Sequence, residues 1–212
     1  MRIKMILSIA AAALALGLFA VCIQTAGYPV LLLLFLAVTA FSCNAVRLYG
    51  RICPSREKTA VNIWQWAAFV FYLMFLFLLT FGVRRSFPRF ILGDPEDLKV
   101  YLSNRTNFVP FKTIAAMFTE GNPVRFVMVN IAGNLAATAP LGFFLPLLLR
   151  PARKVIPFVL ITCLIVIFIE FTQMCFSVGS CDIDDLILNV LGALAAFFVM
   201  KIPAVKKRVY GS

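Results

Sequence analysis

Apolar residues in this chain fall in long unbroken runs, not at the three- and four-residue spacing of a helix with one wet face. Six runs approach the roughly 20 residues needed to cross about 30 Å of hydrocarbon. They are Met5–Ile23, Val30–Val46, Val61–Val83, Phe126–Leu149, Val155–Cys175 and Asp185–Met200. The second and sixth are short and the fourth holds two prolines, so the pattern predicts five to six spans. The expected fold is all-α, a polytopic transmembrane helical bundle, because a lipid-embedded backbone must satisfy its own polar groups. Four segments follow: residues 1–83 with three spans, an extracytoplasmic stretch over 84–125, a three-span core over 126–200 and a basic tail over 201–212.

Charge adds an orientation. With six spans, thirteen basic residues share one side with a single acid, Glu57, whereas seven basic residues and seven acids share the other. The positive-inside rule then puts both termini in the cytoplasm and Asp182 to Asp185 outside. A net charge of +11 would otherwise suggest nucleic acid. Its distribution fits topology and contact with anionic membrane lipids, so no nucleic-acid partner is expected.

The six cysteines show no metal-like spacing and the chain has no histidine. That removes His-dependent phosphatase, triad and zinc chemistry. Cys22, Cys43 and Cys163 read as small apolar fillers. Cys175 and Cys181 flank one hairpin and read as free thiols, with pairing in an oxidising compartment left open. Met1 to Gly27 also fits a secretory signal, but the run is long enough to span and reads as an uncleaved anchor. Gln24 to Pro29 reads as an outer turn. Trp64 and Trp66 are expected at the headgroup level. Beyond the third span, the RRSFPRF stretch at 84–90 suits an interface and Pro95-Glu96-Asp97 reads as a helix start. Residues 107–112 are apolar enough to dip back toward the bilayer as an interfacial or re-entrant hairpin.

Polar residues inside the later spans narrow the picture, since charge in a membrane is rare and marks a functional or packing site. Asn130 and Asn134 lie four apart on one helix face. Gly133, Ala136, Ala137 and Gly142 keep the same span slim, while Pro140 should kink it and Pro146 shorten it. Glu170 and Gln173 lie three apart in the next span. In the last, Asp182, Asp185 and Asn189 share a face at i, i+3, i+7, with Asp184 pointing elsewhere and Asp182 a candidate N-cap. At about 1.5 Å per residue, Glu170, Asn134 and Asn189 lie about 10, 13 and 6 Å below the outer ends of their helices. Three spans thus place their polar groups at a common depth. Together with Asn107, these residues form a candidate polar site that points to no cofactor.

The ordered motifs Asn107-Phe108-Val109-Pro110-Phe111, Asn130 to Asn134 with Pro140-Leu141-Gly142-Phe143, Glu170-Phe171-Thr172-Gln173, Asp182-Ile183-Asp184-Asp185-Leu186 and Asn189-Val190-Leu191-Gly192 resemble the VanZ-like family of bacterial membrane proteins. The resemblance covers Asn107 to about Met200. It departs just before the aspartate run, where family members look to carry an arginine and this chain has Ser177 to Cys181. Any such charge would have to come from Arg105 or Arg125. The resemblance implies a bacterial cell membrane and low-level resistance to teicoplanin-type glycopeptides, and no established reaction or cofactor. Three mechanisms stay open. One is a non-catalytic outer-leaflet site for lipid headgroups, envelope polymer or antibiotic. Another is a membrane enzyme using carboxylates, with or without Mg²⁺, on a lipid or wall precursor. The third is packing or transport, in which the polar groups join helices or line a path.

Overall fold

A computed structural model describes residues 1–22, 28–82 and 90–205. The turn after the first span, most of the RRSFPRF stretch and the end of the basic tail lie outside these residues. Six helices are long and apolar enough to cross a membrane. They are α1 (Arg2–Cys22), α2 (Tyr28–Ile52), α3 (Glu57–Phe77), α6 (Val124–Leu148), α7 (Val155–Cys175) and α8 (Ile183–Lys201). Two shorter helices, α4 (Pro95–Asn104) and α5 (Lys112–Thr119), stand between α3 and α6. The chain is an all-α, multi-pass membrane protein.

It divides into two compact units, Met1–Arg85 and Ser86–Ser212. In the first, α2 packs against both α1 and α3. Its interior is aromatic: Phe35 stacks on Phe75 at 4.6 Å and on Phe71 at 5.1 Å, with Phe19 edge-on to Phe71. Two side-chain bonds cross between helices, from Asn44 Nδ2 to Ser8 Oγ at 2.7 Å and from Trp64 Nε1 to Ser42 Oγ at 2.9 Å. Trp64 therefore turns its N–H into the protein, while Trp66 remains exposed. A π-turn over Leu78–Gly82 continues α3.

In the second unit α6 and α8 make the closest helix pair. A Cβ built on Gly142 would fall 2.2 Å from the Ala193 carbonyl oxygen, and one on Gly192 would fall 2.1 Å from that of Leu135. Only glycine permits that approach, and without a hydrophobic force between helices in lipid, such close packing is what joins them. Gly133, by contrast, faces open space. α6 continues through Pro140 and Pro146 to Leu148, so Pro146 does not shorten it. Its carbonyl accepts from Arg153 Nε at 3.1 Å. At the same end Phe158 of α7 stacks on Phe197 of α8 at 4.4 Å, and Lys201 lies 4.9 Å over the Phe197 ring.

At the opposite end of this unit, Asp94 caps α4 by accepting from the Glu96 and Asp97 amides, with Pro95 in the first turn where its missing N–H is harmless. Two residue pairs then form a parallel ladder, β1 (Thr106–Asn107) beside β2 (Cys181–Asp182). This short pairing fixes the segment before α5 against the entry to α8, and it brings Asn107 and Asp182 together.

Candidate functional site

Each polar residue at this end is positioned by a local rule. Asp182 precedes α8 in an extended conformation, and its Oδ1 accepts from the Asp184 amide at 2.9 Å, the N-cap bond its sequence position suggests. The ladder presents Asn107 to the same oxygen, whose Nδ2 donates at 3.0 Å. Thr113 Oγ1 donates to the other oxygen, Oδ2, at 2.5 Å. Asn107 also braces its own loop, accepting from the Val109 amide at 3.1 Å. One buried carboxylate thus ties β1 and α5 to the start of α8.

Asp184 performs a second tie that helical spacing does not reveal. It is 1% exposed. Its two oxygens accept from the Phe111 amide at 2.5 Å and the Ile114 amide at 3.0 Å. Those amides belong to the first turn of α5, where N–H groups lack partners within the helix and the dipole favours an anion. Phe111 sits there at φ 65°, a left-handed conformation uncommon for a bulky residue, and the bond to Asp184 holds it. Asp184 is the site residue that sequence reasoning missed. Its signal was present, in a carboxylate too close to a hydrocarbon-spanning helix to be left alone, but its partner lies some seventy residues upstream.

Across the close α6–α8 contact, Asn134 Nδ2 donates to Asp185 Oδ1 at 2.5 Å. One turn deeper, Thr138 Oγ1 donates to the Asn189 main-chain oxygen at 2.5 Å. The contribution of Asn189 to this seam is therefore its backbone. Asn130 turns away: its amide donates to the Phe126 carbonyl of its own helix at 2.9 Å. Gln173 lies beside Gly179 in the α7–β2 turn, where its amide nitrogen would sit 3.6 Å from a Cβ at that position. Gly179, at φ 75°, takes a backbone conformation that suits glycine alone.

Glu170 completes the arrangement from α7. It is 8% exposed, and its Oε2 is buried without a hydrogen-bond partner. Its charged neighbours are Asp185 and Asp182, with the Asp182 main chain also beside it. Arg105 does not enter this group. Its guanidinium reaches the Ser177 carbonyl at 3.4 Å, and Arg125 is exposed in the first turn of α6. Cys181, in β2, borders the acids. Burial pushes its thiol above the ordinary value, and Glu170, then Asp182 and Asp185, push the same way. Cys175 and Cys181 are free thiols.

The structure thus brings Asn107, Asn134, Glu170, Asp182 and Asp185 to one end of the second unit, with Gln173 and Asn189 at its margins and Asn130 outside. Chemically, most of these groups satisfy one another. Glu170 is the exception, with a buried oxygen open to an additional donor. Among the described residues no three of His, Cys, Asp or Glu converge closely enough to hold a metal ion.

A family model described as VanZ/LLP1 matches residues 69–204. The match begins inside α3, upstream of the Asn107 motif, and runs through α8. No curated protein matches the chain, and no solved structure does. With well over half of its length within that match, the chain belongs to the VanZ/LLP1 family.

Proposed function

We propose that this protein acts in a bacterial cell membrane, with both termini in the cytoplasm and the polar end at the outer leaflet. There it contributes low-level resistance to glycopeptide antibiotics of the teicoplanin type. On this reading the site around Glu170 engages a lipid headgroup, an envelope polymer or the antibiotic itself, and so alters access to the cell surface. The support comes from Glu170. One of its two carboxyl oxygens, Oε2, is buried without a hydrogen-bond partner, at an end where every other acid of the group is tied to the chain. Buried polar groups are ordinarily satisfied, so a donor from an outside molecule is the natural complement.

Two other readings weigh differently. The bonds of Asn134, Asp182 and Asp184 favour an assembly role for those three residues, which hold α5, α6 and α8 together. For a carboxylate enzyme assisted by Mg²⁺ the described residues offer no cluster of three ligands, so one or two carboxylates would have to share the ion with a substrate phosphate. Expression of the chain in a teicoplanin-susceptible host is the direct test. Glu170→Gln should remove the gain in resistance at unchanged membrane abundance, because it replaces the carboxyl with a group of similar size. Asp185→Asn should weaken it. Full resistance and unaltered surface binding of labelled teicoplanin in both variants would end this reading.

A further inference from the structure

Between β1 and α6 the chain turns large apolar side chains outward in a segment too short to cross a membrane. Phe108 is 70% exposed, Phe111 60% and Phe118 64%, with Val109 exposed beside them. The one helix here, α5, has eight residues, which reach about 12 Å at about 1.5 Å each. That falls well short of the roughly 30 Å of hydrocarbon that a span must cover.

Exposure on α5 is one-sided. Phe111, Ala115 and Phe118 follow i, i+4, i+7 spacing and are exposed, whereas Thr113, Ile114, Ala116 and Met117 on the other side are half-buried. That inner side is held to the entry of α8, through Thr113 Oγ1 on Asp182 and the Ile114 amide on Asp184. The Phe111 amide bonds Asp184 as well. The carboxylate that holds Phe111 in its left-handed conformation thereby holds a phenyl ring outside the protein.

Both ends of the segment are tied to the ends of spanning helices. β1 pairs with β2, which leads directly into α8, and only Glu120 to Pro123 separate α5 from α6. Val124 and Met128, four apart at the start of α6, are exposed in the manner of lipid-facing positions on a span. The apolar side of α5 therefore lies at the level where a lipid-facing surface begins. A surface in water rarely gathers this many large apolar groups, while an amphipathic helix at that level buries its apolar face between headgroups and acyl chains. Lys112, exposed at the edge of the stripe, can lay its methylenes along that face and its ammonium among phosphates.

We propose that residues 108–118 form an interfacial anchor whose partner is the lipid surface itself. Phe108, Val109, Phe111 and Phe118 enter the boundary between headgroups and acyl chains of the bilayer that α6, α7 and α8 cross. Asp182 and Asp184 grip the anchor from the protein side, and lipid covers its opposite face. The inference holds whether or not Glu170 confers resistance, since Glu170 takes no part in it.

The test uses the full chain in phospholipid nanodiscs, with benzoylphenylalanine replacing Phe108 and, separately, Phe118. Both positions point outward, so the larger ring displaces no packed neighbour. On irradiation each should give adducts with acyl chains in the yield found at Val129, an exposed position of α6, and far above the yield at Glu96 in α4. Hydroxyl-radical footprinting of the unsubstituted chain in the same nanodiscs needs no variant, and Phe108, Phe111 and Phe118 should escape oxidation there. Covalent dimers of the chain in place of lipid adducts would assign this face to a second copy and overturn the proposal. Adduct yields no higher than at Glu96, or ready oxidation of the three rings, would put the face in water and overturn it as well.

Discussion

Asp182 and Asp184 commit both of their carboxylate oxygens to the chain itself, whereas Glu170, one helix away, leaves a buried oxygen open. Acids of the same charge class at the same end therefore play opposite parts. Cys181 lies between these groups and reports on them. Its raised pKa means that the thiol, not the reactive thiolate, persists past the pH of about 8.5 at which a free cysteine titrates. Peptide-resolved alkylation of the folded protein should therefore show a midpoint for Cys181 above that value. Glu170→Gln removes the acid that acts most strongly on this thiol, so the midpoint should move down and labelling at pH 8.5 should speed up. A midpoint at the free-cysteine value, or one that Glu170→Gln leaves in place, would mean that the acids do not act on this thiol.

Among the elements, α5 shows how weak local structure is held. It has eight residues, too few for stable helix alone. Its start is anchored by a carboxylate from α8 at Phe111 and Ile114. Replacing Asp184 with Asn keeps the shape but sets an NH₂ against a backbone amide and removes the charge. Asn keeps one oxygen as acceptor, so the expected loss is at least about 1.5–3 kcal/mol, the value of the one hydrogen bond to a charged acceptor that the NH₂ cannot replace. Because α5 is a peripheral element, much of this should appear as local release. Limited proteolysis should cut between residues 105 and 123 in the variant well before it cuts the wild-type chain, and hydrogen exchange at Ile114 should accelerate. Unchanged protection at Ile114 would show that α5 does not depend on the bond. Helical spacing set Asp184 apart from Asp182, yet α8 starts only at Ile183 and both acids reach α5, Asp182 through Thr113 and Asp184 through Phe111 and Ile114; the pattern could not say what stood there. Periodicity describes one helix, and the partner is a segment separated by two membrane spans. The two-residue β1–β2 ladder that delivers this segment is likewise too short to leave a pattern. Asn130 illustrates the reverse error. Four-residue spacing puts it beside Asn134, yet its amide folds back to its own helix, a choice that spacing cannot express.

For the molecule as a whole, the features legible from sequence were those that lipid enforces. Six apolar runs became six long helices because water is unavailable to the backbone, and Glu170 stood out because an acid in a span needs a reason. The same physics gives a topology that can be tested. The links after α2 and after α6 are basic, at Arg47 to Lys58 and Arg150 to Lys154, whereas the polar end carries acids in α4 and at the start of α8. Oriented by the positive-inside rule, the former links lie in the cytoplasm and the polar end outside. Fusions of alkaline phosphatase and of green fluorescent protein after Glu120, after Arg153 and at the C-terminus separate the two orientations. Phosphatase should be active only after Glu120, and fluorescence should appear only at the other two points. The reversed pattern would put Glu170 and its neighbours toward the cytoplasm, where a glycopeptide acting from outside cannot reach them. The resistance reading would then fail even if every contact at the polar end were correct.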